Sequence, residues 1–134
     1  MQPERCGIAL YAKGQENQWY IDSGCLKHMI GNKEKLQSYS ALEKEKKVSF
    51  GNDTPTFIKG KGSVHLKEKV KARNVMYVDG LKHNLLSVSQ MCDQGTKVIF
   101  RSNGCIVREL DTRKTVIGGI RTQNNLYVLK GEQQ

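Results

Sequence analysis

Every apolar run in this chain is short, and each ends on a turn former or a charge. Gly7-Ile8-Ala9-Leu10-Tyr11, Gln18-Trp19-Tyr20-Ile21, Asn74-Val75-Met76-Tyr77-Val78, Lys97-Val98-Ile99-Phe100, Cys105-Ile106-Val107 and Leu126-Tyr127-Val128-Leu129 are rich in β-branched and aromatic residues. Such side chains suit a pleated, half-buried surface, and runs of this length suit strands better than helices. The connectors agree. Lys13-Gly14-Gln15-Glu16-Asn17 reads as the loop of a hairpin joining the first two runs, Gly51-Asn52-Asp53-Thr54-Pro55 is a cluster of turn formers, and Ser102-Asn103-Gly104 carries the strongest short hairpin signal. One segment differs. In Leu85 to Asp93, LLSVSQMCD, the residues Leu85, Leu86, Val88, Met91 and Cys92 fit one helical face, with Gly95 where a C-terminal cap belongs. The lysine- and glutamate-rich stretch Lys33 to Lys47 is expected to hold a turn or two of surface helix. The fold class is therefore mainly β, a small barrel or folded-over sheet with one short helix near residues 85–93.

A chain of 134 residues suits one domain, 1–134, with 131–134 as a frayed tail. Apolar residues make up 37% of it, which allows a modest core. No apolar run is long enough to span a membrane, and the N-terminal segment lacks a signal-peptide pattern, so a cytoplasmic location is expected. The opening Met-Gln-Pro-Glu-Arg suits a domain cut from a longer polypeptide. Cys6, Cys25, Cys92 and Cys105 are scattered without a CxxC pair and are read as reduced thiols. Lys and Arg outnumber Asp and Glu by 22 to 13, a net charge of +9, which favours polyanions at low salt.

The chemistry centres on Trp19-Tyr20-Ile21-Asp22-Ser23-Gly24, where a buried strand runs straight into a carboxylate at a sharp turn. Asp22 is either a turn residue capping its own backbone or a group held in a dry place for use. For the second role, Gly24 would permit backbone geometry that a Cβ forbids, and Ser23 would donate a hydrogen bond across the loop. Two such carboxylates facing one another across a two-fold axis would share one proton, because like charges so close cannot both ionise. One then acts as base toward water and the other as acid toward a carbonyl oxygen. No cofactor or metal is required.

Three blocks carry a family resemblance: Trp19 to Met29 (WYIDSGCLKHM), Asn74 to Gln90 (NVMYVDGLKHNLLSVSQ) and Asn125 to Leu129 (NLYVL). Together they resemble the protease region of copia-type LTR retrotransposon polyproteins, a branch of the retropepsin-like aspartic proteases. The resemblance implies an acid-protease β-barrel with Asp22, Ser23 and Gly24 as the catalytic loop. Gly51, Asn52, Asp53 and Thr54 would form the tip of a flap that closes over substrate. Leu85, Leu86 and Ser87 would form the turn that supports the catalytic loop from beneath. It further implies a homodimer, a peptide or polyprotein substrate, and residence in a virus-like particle. Ser87 stands where the wider pattern has Gly, and Cys25 where Ala or Ser is usual. About thirty residues follow Phe100, near where the compact viral enzymes end in a strand of their dimer interface. With one Asp-Ser-Gly triplet in the chain, the active site needs two chains and a monomer is inert.

Other readings compete. Cys25-Leu26-Lys27-His28 has ligand-like spacing, yet no second pair accompanies it to make a zinc site. A Cys25–His28 nucleophile pair lacks a recognisable orienting group. Lys67, Lys69 and Lys71 would alternate along one side of a strand, and with Lys59, Lys61 and Arg73 could hold nucleic acid non-specifically, although few aromatics are present for base stacking. The main alternative is a monomeric barrel that keeps the protease fold and serves as a binding or structural module.

Overall fold

The computed structural model describes residues 18–50 and 56–130, together with the backbone of Glu4–Arg5. Its strands in chain order are β1 (Glu4–Arg5), β2 (Trp19–Asp22), β3 (Met29–Ile30), β4 (Gln37–Ser49), β5 (Thr56–Lys67), β6 (Val70–Val78), β7 (Asn84–Ser87), β8 (Thr96–Arg101), β9 (Gly104–Glu109), β10 (Thr115–Arg121) and β11 (Tyr127–Lys130). A single α-helix among the described residues, α1 (Val88–Asp93), follows β7 directly. All strands belong to one coiled sheet in the order β1-β4-β5-β6-β3-β7-β2-β11-β10-β9-β8, and its two ends do not pair with each other. The expected fold class is therefore present: mainly β, with one short helix and a barrel-like but unclosed sheet.

Strands β2 and β7 sit at the centre. They run parallel, with Trp19 opposite Asn84, Tyr20 opposite Leu85, Ile21 opposite Leu86 and Asp22 opposite Ser87. A parallel pair cannot be joined by a tight turn. Here the connection is the whole β3–β6 excursion, which returns β6 and β3 to the far side of β7. Both faces of the pair are covered, so alternation in sequence is replaced by continuous burial: Trp19, Tyr20, Ile21, Leu85 and Leu86 are all buried. The period of two persists in what each residue meets. Trp19, Ile21 and Leu86 join one core with Ile30, Val75, Val107 and Ile117, while Tyr20 and Leu85 join a second with Met29, Val48, Ile58 and Val78.

Several expectations are corrected. Leu85 and Leu86 are strand residues, because their burial on both sides of the sheet outweighs their helical spacing; α1 begins only after Ser87, whose Oγ accepts the Gln90 amide at 3.1 Å as an N-cap. Gly95 does end the helix, at φ +92°. The Lys33 to Lys47 segment holds one 3-10 turn, Lys33–Lys35, capped by Asn32, and then enters β4. Its charges are exposed on a strand that pairs with β5 from Gln37 onward. Lys67, Lys69 and Lys71 do not share one strand side, because the chain reverses between β5 and β6 at Glu68 and Lys69. Among the described residues β2 is flanked by β7 and β11; the expected hairpin partner Gly7–Tyr11 and its loop lie outside the described residues.

Ser102–Asn103–Gly104 does form the β8–β9 hairpin, but Gly104 is already in β9. It is needed for close approach: a Cβ there would lie 2.2 Å from the Gly119 carbonyl oxygen of β10. Gly104→Ala is expected to lower stability by about 1–3 kcal/mol, the usual penalty for overpacking, as read from urea unfolding midpoints at unchanged slope.

Candidate functional site

Asp22 is the last residue of β2, and the chain turns immediately after it. Its Oδ1 accepts the Gly24 amide at 2.8 Å, closing an Asx turn. The carboxylate is partly exposed, Ser23 and Gly24 are exposed, and Cys25 returns to the interior. Gly24 lies outside the positive-φ region, and a Cβ built on it would meet Asp22 Oδ1 at an ordinary 3.4 Å. The reason given above for this glycine is therefore corrected: the backbone conformation at this position does not demand it. Ser23 is exposed at the turn.

The support beneath the loop comes from β7 and α1. Ser87, level with Asp22 in the parallel ladder, is fully buried. Its amide donates to Nδ1 of His28 at 2.9 Å, which fixes that imidazole nitrogen as an acceptor. His28 is equally buried, and its own backbone is held on both sides. Its amide donates to Gln90 Oε1 at 2.8 Å, and its carbonyl accepts the Met76 amide at 2.8 Å. Gln90 Nε2 in turn donates to the carbonyls of Arg73 (3.0 Å) and Asn74 (3.2 Å) on β6. Burial pushes the His28 pKa from 6.5 down to about 4, so the ring is neutral at neutral pH.

The structure thus brings together Asp22, Ser23, Gly24, Leu85, Leu86 and Ser87 at one end of the β2–β7 pair. The flap residues Gly51, Asn52, Asp53 and Thr54 lie outside the described residues; the strands leading to them, β4 and β5, pair from Gln37↔Ser63 to Val48↔Thr56. Among the described residues no group of three His, Cys, Asp or Glu could hold a metal ion. Cys25 is disulfide-bonded, whereas Cys92 and Cys105 are free. This corrects the expectation of four reduced thiols, since the approach of two sulfurs in space leaves no trace in their spacing along the chain. Without a thiolate, Cys25 in this state is neither nucleophile nor metal ligand.

Sequence reasoning missed two parts of the site. His28 was weighed as a ligand or base, and it is a buried brace. Phe100, Asn125, Leu126 and Tyr127, from the hairpins after the helix, line a pocket of about 400 Å³ with Ile21, Asp22 and Ser23. The block Asn125–Leu129 had signalled that this region matters, without saying to what it packs.

Comparison with known proteins now gives the family. Residues 19–96 match the family described as Pol polyprotein, beta-barrel domain. The chain belongs to that family. It is also similar to the retrovirus-related Pol polyprotein from transposon RE1 of Arabidopsis thaliana, with 28% identity over 128 residues. That alignment covers 92% of this chain and 9% of the relative, so the chain spans a small part of the relative's length. No solved structure matches. A retrotransposon Pol region is thus the shared ground of both matches, and β2 through α1, the centre of the fold, lies within the family match.

The His28 brace makes stability depend on pH. An unfolded imidazole takes up its proton near 6.5 and the folded one near 4, so between these values the unfolded chain binds more protons. Stability from this group is complete above pH 6.5, falls as pH drops toward 4, and levels below it. The full swing is on the order of 3 kcal/mol. Denaturation midpoints measured from pH 7.5 to 4 should show the decline, and His28→Leu should flatten it while lowering stability throughout.

Proposed function

We propose that this domain is an aspartic endopeptidase whose active site is completed by a second copy of the chain and whose substrate is the polyprotein that carries it. The observation that carries the reading is the placement of Asp22. A carboxylate with one oxygen held by the Gly24 amide stands at the end of a doubly covered parallel strand pair, over a web of buried Ser87 and His28 with half-buried Gln90, and beside an open pocket. Such a mounting fixes the carboxylate's direction and leaves it reachable.

The chemistry follows from pairing two of these loops. At close range the two carboxylates hold one proton between them. The ionised member draws a proton from water as it attacks the peptide carbonyl, and the protonated member gives its proton to the carbonyl oxygen. Collapse of the tetrahedral intermediate then passes a proton to the leaving amine. The substrate would lie as an extended strand under the β4–β5 hairpin, with backbone hydrogen bonds giving affinity and side-chain pockets giving selectivity. Activity belongs at mildly acidic to neutral pH, where the dyad keeps its single proton. The reading includes a homodimer, a virus-like-particle setting, and weak electrostatic retention of nucleic acid through the exposed lysines.

A second reading is favoured by a specific observation: the Asx turn at Asp22 forms within one chain, as an ordinary structural turn would. On this reading the domain is a non-catalytic barrel module of the Pol polyprotein. Sedimentation velocity and a cleavage assay on the polyprotein junctions separate the two. The protease reading expects a concentration-dependent dimer, cleavage by that dimer, and loss of cleavage by at least about a thousandfold in Asp22→Asn with circular dichroism unchanged. Undiminished cleavage in Asp22→Asn would reject it, and an obligate monomer without activity would leave the module reading.

A further inference from the structure

We propose that the cleft between β6, α1 and the β9–β10 pair binds an extended acidic peptide segment, which joins the sheet as a strand along the free edge of β6. The inference goes beyond catalysis, since no residue lining this cleft also lines the pocket at Asp22. The cleft holds about 720 Å³, within the range of ~300–1,000 Å³ usual for ligand sites. One side of β6 is taken by β5, with Val64 opposite Ala72 and His65 opposite Lys71. The other side is taken only in part. Strand β3 pairs there at Met76 and Tyr77, and Gln90 Nε2 donates to the carbonyls of Arg73 and Asn74. Beyond that point no described strand pairs with residues 70–72 on this side. Alternate residues of an antiparallel strand turn their backbone groups to opposite sides. The Lys71 amide and carbonyl therefore face the same way as the Arg73 carbonyl, toward the cleft. Residues 70–73 offer about 13 Å of such edge.

The floor of the cleft belongs to the first core, where Leu86, Met91, Val107 and Ile117 are buried. Its rim is cationic: Lys69, Lys71 and Arg73 are all exposed there, against the single carboxylate of Glu109. Lys71 and Arg73 share one face of β6, while Val70 and Ala72 share the other, which is turned to the core. An added strand with the same alternation would set carboxylates opposite Lys71 and Arg73 and apolar side chains over Val107 and Ile117. Opposite charges across a strand pair stabilise it, and like charges in that place repel. The same cations decide among occupants. Edge-to-edge pairing of two copies would set these cations against each other. A nucleic acid strand would find no Phe, Tyr or Trp in the lining on which to stack its bases. An anionic amphiphile would suit the floor and the rim, yet it would leave the strand edge unused. An acidic peptide uses all three features.

Binding is read by NMR on the labelled whole chain carrying Asp22→Asn, which keeps every peptide intact and makes the result independent of the protease reading. The probes are three blocked hexapeptides: one alternating Glu and Val, one alternating Lys and Val, and the Glu–Val peptide N-methylated at its central residues. The Glu–Val peptide should shift the amides of residues 70–73 and the methyls of Val107 and Ile117, and added salt should weaken it. Its N-methylated form, which cannot complete the strand pairing, should bind at least about tenfold more weakly. Lys71→Glu combined with Arg73→Glu, both at exposed positions, should weaken the Glu–Val peptide by at least about tenfold and admit the Lys–Val peptide in its place. Absence of shifts at these residues, equal binding of the N-methylated peptide, or binding unaltered by the charge reversal would overturn the proposal. Shifts produced by laurate or by single-stranded RNA, with none from the Glu–Val peptide, would assign the cleft to another anion and overturn it as well.

Discussion

One hydrogen bond underlies the rest of the site: the amide of Ser87 to Nδ1 of His28. Where β7 gives way to α1, the Ser87 amide is buried at the point where the ladder with β2 ends and the helix has not yet begun. A buried amide without an acceptor would lose about 1–3 kcal/mol. The imidazole supplies that acceptor from a segment far away in sequence, and in doing so joins the residues after Asp22 to the residues beneath it. The bond also explains why a titratable side chain is tolerated in the interior. A neutral ring can accept at Nδ1, whereas a protonated one would set two donors against each other.

Gln90 plays the complementary part. Its amide group both accepts and donates, and it uses both abilities, toward the His28 amide on one side and toward two β6 carbonyls on the other. Two polar side chains thus replace the backbone pairing that short β3 cannot supply over its whole length. The buried members, Ser87 and His28, are hydrogen-bonded to each other, which is the condition for buried polar groups to order a core and not to weaken it.

Much of this was legible from the residues. Among the described residues the β-branched and aromatic runs did become strands, Gly95 did close the helix, and the Asp22 loop did appear where an apolar strand meets Ser-Gly. What escaped was set by distant partners. Leu85 and Leu86 fit a helical face as well as a strand, and only β2 and β3 on their two sides decide the matter. The charged residues from Gln37 onward read as surface helix because nothing local reveals that β5 lies alongside them. His28 carries the same letter whether it binds zinc, takes protons or braces an amide, and its role is settled by Ser87 and Gln90, both some sixty residues away. The open pocket at Asp22 was invisible for the same reason, since Phe100, Leu126 and Tyr127 line it with Ile21 only because β11 folds back beside β2.

That folding back has a consequence for how the polyprotein can be divided. Strand β11 pairs along the outer edge of β2, with Val128 opposite Tyr20 and Tyr127 opposite Ile21. The exposed link between α1 and β8, where Gln94 and Gly95 lie, offers an accessible place to cut. A cut there followed by departure of the downstream piece would uncover the edge of the strand that carries Asp22, leaving its amides and carbonyls open to any passing chain. The last hairpins are thus part of the same sheet as β2, and a junction inside this link would leave that strand's edge unpaired.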